Sequence, residues 1–301
     1  MILTNKYNLP EQFVNAVNKD YIPTPQQYSV TTLLNPSRQV ILSRRYNSEI
    51  EEDVSDMIYA ILGTAFHSLL ENSKENDDEL KEEYLKQELS CLDERLKDYR
   101  LSGKADLYNA KENKIIDFKT TSSFKFVLKD FEDYRMQLLM YAWLFNKIGF
   151  KTDKGQIIAI LRDWQKSKAK FDSSYPQSQV QTIEFKFTDK DFEEIEKFIT
   201  TKFIELKNCE SLKDEDLPLC SMEDRWNDGN KYAVKKKGNK RADRVFDSEE
   251  EAREYLADKE NTHEIEVRPG EDRRCLEYCS CCKFCTYWQK TYGQKEEVKY
   301  E

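Results

Sequence analysis

The sequence predicts an α/β protein: a mixed central sheet flanked by helices, followed by a small cysteine-rich C-terminal module. Three observations predict it. Short runs rich in β-branched and aromatic residues alternate with segments of helical period up to about residue 208. Seven of the eight cysteines lie between residues 209 and 285, so the character of the chain changes there. The predicted organisation is therefore a core over 1–208 and a ββαβ-like module over 209–301. Finally, no stretch approaches the roughly 18 apolar residues of a membrane span.

The elements follow in order. Residues 28–47 begin with a β-rich run, turn at Asn35-Pro36 and enter a helix. Residues 53–73 predict a helix in which Met57, Ile61, Ala65 and Leu69, at i+4 steps, form a buried face. YLKQELSCL, LSGKADLYN and KIIDFKT predict three strands, the last two joined as a hairpin through AKEN. Residues 130–148 form a second long helix, apolar on nearly every side after Arg135 and hence central. GQIIAILRDW and QTIEFKF predict two more strands. DKDFEEIEKFITTKFIEL predicts an amphipathic helix with Asp189 as N-cap. Beyond Cys220 the pattern predicts a hairpin turning near Lys237-Gly238, a helix over SEEEAREYLAD and a strand HEIEVR.

The 301 residues are 39% apolar and 35% charged, with 17 Tyr and 16 Phe, the composition of a soluble globular protein. The net charge of −9 excludes an all-round positive sheath but not a local nucleic-acid footprint. Basic patches stand at Arg38, Arg44 and Arg45, at 162–170 and at 235–241. None of the eight glycines belongs to GxxxxGK[ST] or GxGxxG, which argues against nucleotide-driven work. With two histidines, His67 and His263, and no GxSxG, a serine triad is not expected. The start, MILTNKYNLPEQ, has neither a basic n-region nor an apolar h-region, so the expected compartment is the cytoplasm, where thiols stay reduced.

Within KIIDFKT, Asp117 and Lys119 project from one face of an otherwise apolar strand. A hairpin turn centred on Lys111 and Glu112 pairs Asp106 with Asp117, and a shift of one residue pairs Asp106 with Lys119. Both registers put all three on one face. Carboxylates opposed across a hairpin repel, and a divalent cation with oxygen ligands relieves that. The lysine can then orient a water or steady a phosphate. Read alone, the pair is more simply a surface salt bridge. His67 and Glu88 are ordinary core or surface residues by themselves, and Gln137, four residues before Tyr141, is the one amide in an apolar helical stretch.

Taken in order, Gly63-Thr64-Ala65-Phe66-His67, Glu88, Gly103-Lys104-Ala105-Asp106, Asp117-Phe118-Lys119 and Gln137 through Tyr141 resemble the motifs of the PD-(D/E)XK nuclease superfamily. More narrowly, they resemble RecB/AddB-like exonucleases and their CRISPR-associated relatives. The segments RDWQKSKAKFDSSYPQSQ and VRPGEDRRC are similar to bacteriophage-encoded members. The resemblance spans about residues 60–145 and implies a restriction-endonuclease-like fold. It implies a metal-dependent DNA nuclease, an exonuclease acting on linear or single-stranded ends in replication, recombination or repair. Asp106 and Asp117 would hold Mg²⁺ or Mn²⁺ with His67 and the carbonyl of Phe118. Lys119 would position the attacking water, Gln137 and Tyr141 would stand behind it, and Glu88 would complete the set. The products would carry 5′-phosphates and 3′-hydroxyls. Partners would be DNA and a helicase or recombination protein, in the host cytoplasm if the chain is phage-encoded. Asp117 stands where family members often carry Glu. The rival class is a DNA-binding or recruitment protein that keeps the fold without cleavage.

The run RRCLEYCSCCKFC holds Cys275, Cys279, Cys281, Cys282 and Cys285. A tight thiol cluster in a reducing compartment suggests metal rather than disulfides. Cys275, Cys279 and Cys285 supply three ligands and Cys220 a fourth, with Cys281 and Cys282 as rivals. RecB-like relatives often close this domain with an iron–sulfur cluster, using one cysteine before the core. This chain has none before Cys91, so Zn²⁺ and [4Fe–4S] both stay open.

Overall fold

A computed structural model describes residues 1–17, 22–74, 76–257 and 261–293. The chain divides into unit 1, Met1–Leu212, and unit 2, Lys213–Glu301.

Unit 1 opens with β1 (Ile2–Thr4), α1 (Glu11–Val17), β2 (Gln27–Ser29), α2 (Val30–Leu33) and α3 (Ser37–Arg45). Pro36 at the α3 N-cap supplies the turn read at Asn35-Pro36. Next come β3 (Glu51–Asp53), parallel to β1, and α4 (Ile58–Glu71). The strands β4 (Glu79–Glu88), β5 (Arg100–Asn109) and β6 (Lys114–Thr121) follow, then α5 (Ser123–Leu128) and α6 (Glu132–Lys147). β7 (Lys154–Leu161), α7 (Lys166–Phe171), β8 (Val180–Lys186) and α8 (Asp189–Glu210) complete the unit.

The central sheet is mixed, in the order β2-β5-β6-β7-β8, with β4 on the other side of β5. β6 and β7 are parallel, while β4–β5, β5–β6 and β7–β8 are antiparallel. Helix α6 is the core element: Gln137 through Phe145 are all buried, as the all-round apolar pattern requires. Gly155 of β7 lets α6 come close, because a Cβ there would stand 3.0 Å from Cβ of Leu138.

Two expectations are corrected. Thr188, not Asp189, caps α8, in a reciprocal capping box with Asp191. The expected buried face of α4 does not form: none of its residues is buried, and Leu69 is 75% exposed. The helix lies against β6 through Phe66, whose ring meets Phe118 edge-on at 6.1 Å, and Gly63, beside Thr120. The i+4 spacing marks an apolar stripe, but a stripe is buried only where another element covers it.

Unit 2 holds β9 (Lys231–Lys236), β10 (Arg244–Phe246), α9 (Glu249–Leu256), β11 (His263–Arg268) and α10 (Thr286–Thr291). The sheet order is β10-β9-β11, and a small core of Val234, Phe246 and Ala252 sits between sheet and helix. Among the described residues no helix is long and apolar enough to cross a membrane.

Candidate metal centre

The site forms where the sheet divides. Along one side of β5, β2 pairs with Arg100–Ser102 and β6 pairs with Leu107–Asn109. Among the described residues no strand pairs with 103–106 on that side. The β5–β6 register places Leu107 opposite Ile116, so its continuation sets Asp106 against Asp117, the first of the two registers considered. The ladder stops because the Asp106 side chain intervenes: the amide of Phe118 donates to Oδ2 of Asp106 at 2.7 Å.

Two clusters result. In the first, ligand atoms of His67, Glu82 and Asp106 all lie within 4.8 Å of one another. Nδ1 of His67 is 3.2 Å from Oδ1 of Asp106, and this contact raises the imidazole pKa against the opposing effect of partial burial. Glu82 belongs to β4, where the flanking pairs Lys81–Leu107 and Glu83–Ala105 set it opposite Asp106. Its φ of 53° lies in the left-handed region, which for a non-glycine residue costs on the order of 1–3 kcal/mol and concentrates at functional sites. Glu82 also pairs with Lys104.

In the second cluster, Nζ of Lys119 lies 2.9 Å from Oδ2 of Asp117 and donates to Oε1 of Gln137 at 3.0 Å. Nε2 of Gln137 donates to Oδ1 of Asp117 at 3.1 Å and to the Tyr141 hydroxyl at 3.3 Å. Gln137 therefore uses both ends of its amide to hold the Asp–Lys pair. Asp117 is 3% exposed, and burial, aided by the nearby Asp106 carboxylate, raises its pKa against the pull of Lys119. Its Oδ2 is buried and accepts no hydrogen bond of good geometry, despite the close ammonium. The Lys119 ammonium is the cation that offsets the burial of this oxygen.

Most of the residues expected from sequence therefore converge: His67 and Asp106 in the first cluster, Asp117, Lys119, Gln137 and Tyr141 in the second; Phe118, expected to offer its carbonyl, meets Asp106 through its amide. Glu88 does not join them. It ends β4 opposite Arg100, is exposed, and pairs with that arginine at 3.1 Å. Glu82 stands opposite Asp106 instead. The β4 segment carries several glutamates, and only the register with β5 distinguishes the one facing Asp106. The oxygen and imidazole donors of His67, Glu82 and Asp106 could hold a divalent cation.

In unit 2, Cys275 has Cys279, Cys220 and Cys285 as electrostatic neighbours. Burial first, then Asp272 and these thiols, push the Cys275 pKa up to about 12. Sγ of Cys279 is 3.6 Å from Sγ of the buried Cys281, so Cys281 stands within the same group. Asp272 anchors the segment: it accepts from Arg225, Asn227, Tyr287 and Tyr292.

No family model matches the chain, and no curated protein matches it. Among solved structures, a protein designated SSO0001 is 21% identical, with a TM-score of 0.43, over 61% of this chain and 78% of that one. A phage-related exonuclease from Haemophilus somnus 129PT is 15% identical, with a TM-score of 0.25, over 37% of this chain and 58% of that one.

Proposed function

We propose that unit 1 is a deoxyribonuclease dependent on Mg²⁺ or Mn²⁺, of the PD-(D/E)XK type, acting from DNA ends. One observation carries the reading: three ligating side chains, His67, Glu82 and Asp106, lie within 4.8 Å of one another at a break in the sheet, beside a buried Asp117 bonded through Gln137 to Lys119. A cation held there would lower the pKa of a bound water and neutralise charge at the scissile phosphate. The chain's own residues do the rest. Gln137 fixes the Lys119 ammonium, so its charge is set before substrate arrives. Lys119 orients the attacking water and faces the phosphate. Tyr141 holds Gln137 from behind, and burial keeps it protonated by raising its pKa. His67 and the Phe118 amide fix the Asp106 carboxylate from two sides.

Unit 2 is proposed as a metal-stapled module. The soft thiolates of Cys220, Cys275, Cys279 and Cys285 suit Zn²⁺ or [4Fe–4S] and do not suit Mg²⁺. DNA is the proposed partner, with a helicase or recombination protein as a second.

End-labelled linear DNA incubated with Mg²⁺, Mn²⁺ or EDTA tests the reading. Cleavage by the wild type with either metal, and none with EDTA or with Asp117→Ala, is expected. Binding without cleavage under every condition would leave a DNA-binding protein instead.

A further inference from the structure

A groove of about 740 Å³ opens in unit 1 beside α5 and the loop that leads into β8. That volume falls within the roughly 300–1,000 Å³ of ligand clefts. Phe126, Val127 and Phe131 line one side, and residues 173–178 line the other. The second wall is fixed by its own hydrogen bonds. Nε1 of Trp164 donates to the carbonyl of Pro176 at 2.7 Å, the Gln165 amide donates to the Tyr175 hydroxyl at 3.1 Å, and Nε2 of Gln177 donates to the Tyr175 carbonyl at 2.7 Å. Polar side chains, among them Gln181, complete the lining.

A chain of aromatic contacts runs from the groove wall to Lys119 of the candidate site. Phe126 and Phe131 lie 5.0 Å apart, and Phe131 and Tyr134 are stacked at 6.4 Å with planes 17° apart. Nζ of Lys119 is 5.6 Å from the Tyr134 ring and Nζ of Lys125 is 5.0 Å from it. Lys129, in a left-handed conformation at the end of α5, adds a positive charge to the groove lining, while Lys125 pairs with Asp133 at 2.8 Å and Lys119 with Asp117 at 2.9 Å.

We propose that this groove binds unpaired nucleotides of a single-stranded polynucleotide and leads them to Lys119. The part that delivers them for hydrolysis rests on the nuclease reading; the binding does not. Aromatic faces need exposed base faces, which a duplex keeps inside its stack and a single strand offers. Lys129 supplies charge for a phosphate backbone, Lys125 can exchange its exposed Asp133 partner for a phosphate, and the polar wall offers donors and acceptors to base edges. An apolar peptide would fit the Phe126 side but would make no use of Lys129 or of the polar wall.

The test is a fluorescence anisotropy titration of labelled oligothymidylate in EDTA, where nothing is hydrolysed. Phe126→Ala should weaken binding about tenfold or more, the scale of one lost base–aromatic stack. Val127→Asp, at a position 40% exposed and so tolerant of a charge, should do the same. Tyr7→Ala, 67% exposed and outside the groove, serves as the control and should bind as the wild type does. An oligonucleotide carrying 5-iodouracil should crosslink to Phe126, Phe131 or Tyr134. Equal affinity of wild type, Phe126→Ala and Val127→Asp, no measurable binding by the wild type, or crosslinks to none of the three rings would each overturn the proposal. Cleavage is scored separately. Weakened binding by the groove variants with no cleavage by any protein would sink the nuclease reading and keep the groove. Unchanged affinities with metal-dependent cleavage would do the reverse.

Discussion

The ring of Tyr141 rests against the backbone of Gly103: a methyl group at that position would stand 2.7 Å from Cε1 of Tyr141 and 3.1 Å from Cδ1 of Leu144. Glycine therefore lets α6 seat Gln137 over Asp117 and Lys119. Gly103→Ala should destabilise unit 1 by about 1–3 kcal/mol, the usual range for overpacking, seen as a lower midpoint in thermal denaturation. A second change, Tyr141→Ala, should return part of that loss, because the two sites share one contact. Strict additivity of the two changes would show that the close approach is not the cause.

Asp117→Ala and Lys119→Ala should each reduce DNA cleavage by about 10²–10³-fold or more, the scale of removing one charge-stabilising group, while the protein stays folded by circular dichroism. Wild-type cleavage by either variant, purified free of host nucleases, would remove the pair from the chemistry.

Two of the β4 glutamates, Glu82 and Glu88, separate cleanly. Calorimetric titration with Mn²⁺ should show at least about tenfold weaker binding for Glu82→Ala and no change for Glu88→Ala. His67→Ala should also weaken binding, and Mn²⁺ should support its residual cleavage better than Mg²⁺, since imidazole suits the softer ion. Unchanged Mn²⁺ affinity in His67→Ala would make the histidine structural.

Alkaline pH should loosen unit 1 through its tyrosines. The hydroxyls of Tyr28 and Tyr99 both donate to the Glu210 carboxylate at 2.6 Å. Burial first, then this hydrogen bond, raises each phenol pKa above its ordinary value near 10, with Arg44 partly opposing at Tyr28. Above about pH 10 the unfolded chain loses these protons while the folded one keeps them, so stability falls as pH rises. Below that pH the contribution is fully present. Denaturant melts should show this alkaline decline, and a Tyr28→Phe, Tyr99→Phe double variant should show less of it. The same slope in both proteins would trace the decline to other groups.

The thiols of unit 2 should behave as a staple. Cys275→Ser, Cys279→Ser and Cys220→Ser should lower the melting temperature and the metal content, whereas Cys209→Ser, in unit 1, should not change the metal content. Metal analysis of anaerobically purified protein decides between about one zinc and about four irons per chain. A Cys279→Ser protein with wild-type melting and full metal, yet no cleavage, would place the cysteines in the chemistry.

Much of this was legible in the sequence because local pattern and burial agree. Helix α6 is apolar all round and is buried, and β6 and the hairpin turn at 110–113 follow directly from alternation and loop length. The turn left two registers open, and the β5–β6 pairing selects the one that sets Asp106 against Asp117. What stayed hidden depends on partners distant in sequence. Choosing Glu82 over Glu88 requires the β4–β5 register and a left-handed backbone at residue 82, and neither leaves a local trace. The exposure of α4 was hidden for the complementary reason, since periodicity describes a helix face and not whether anything covers it.

That exposed helix has a consequence for how the protein breathes. With no buried residue of its own, α4 can open without opening the core, so its amides should exchange with solvent through small local fluctuations and not only through global unfolding. It is tied down beside the sheet by the pair His67–Asp106. An ion shared by those two residues would bind only the closed form, and at a concentration of 100 times its Kd would add about 2.7 kcal/mol to the free energy of opening. Ion uptake and the ordering of α4 are then a single equilibrium, and the order of the helix becomes a gauge of how fully the site is loaded.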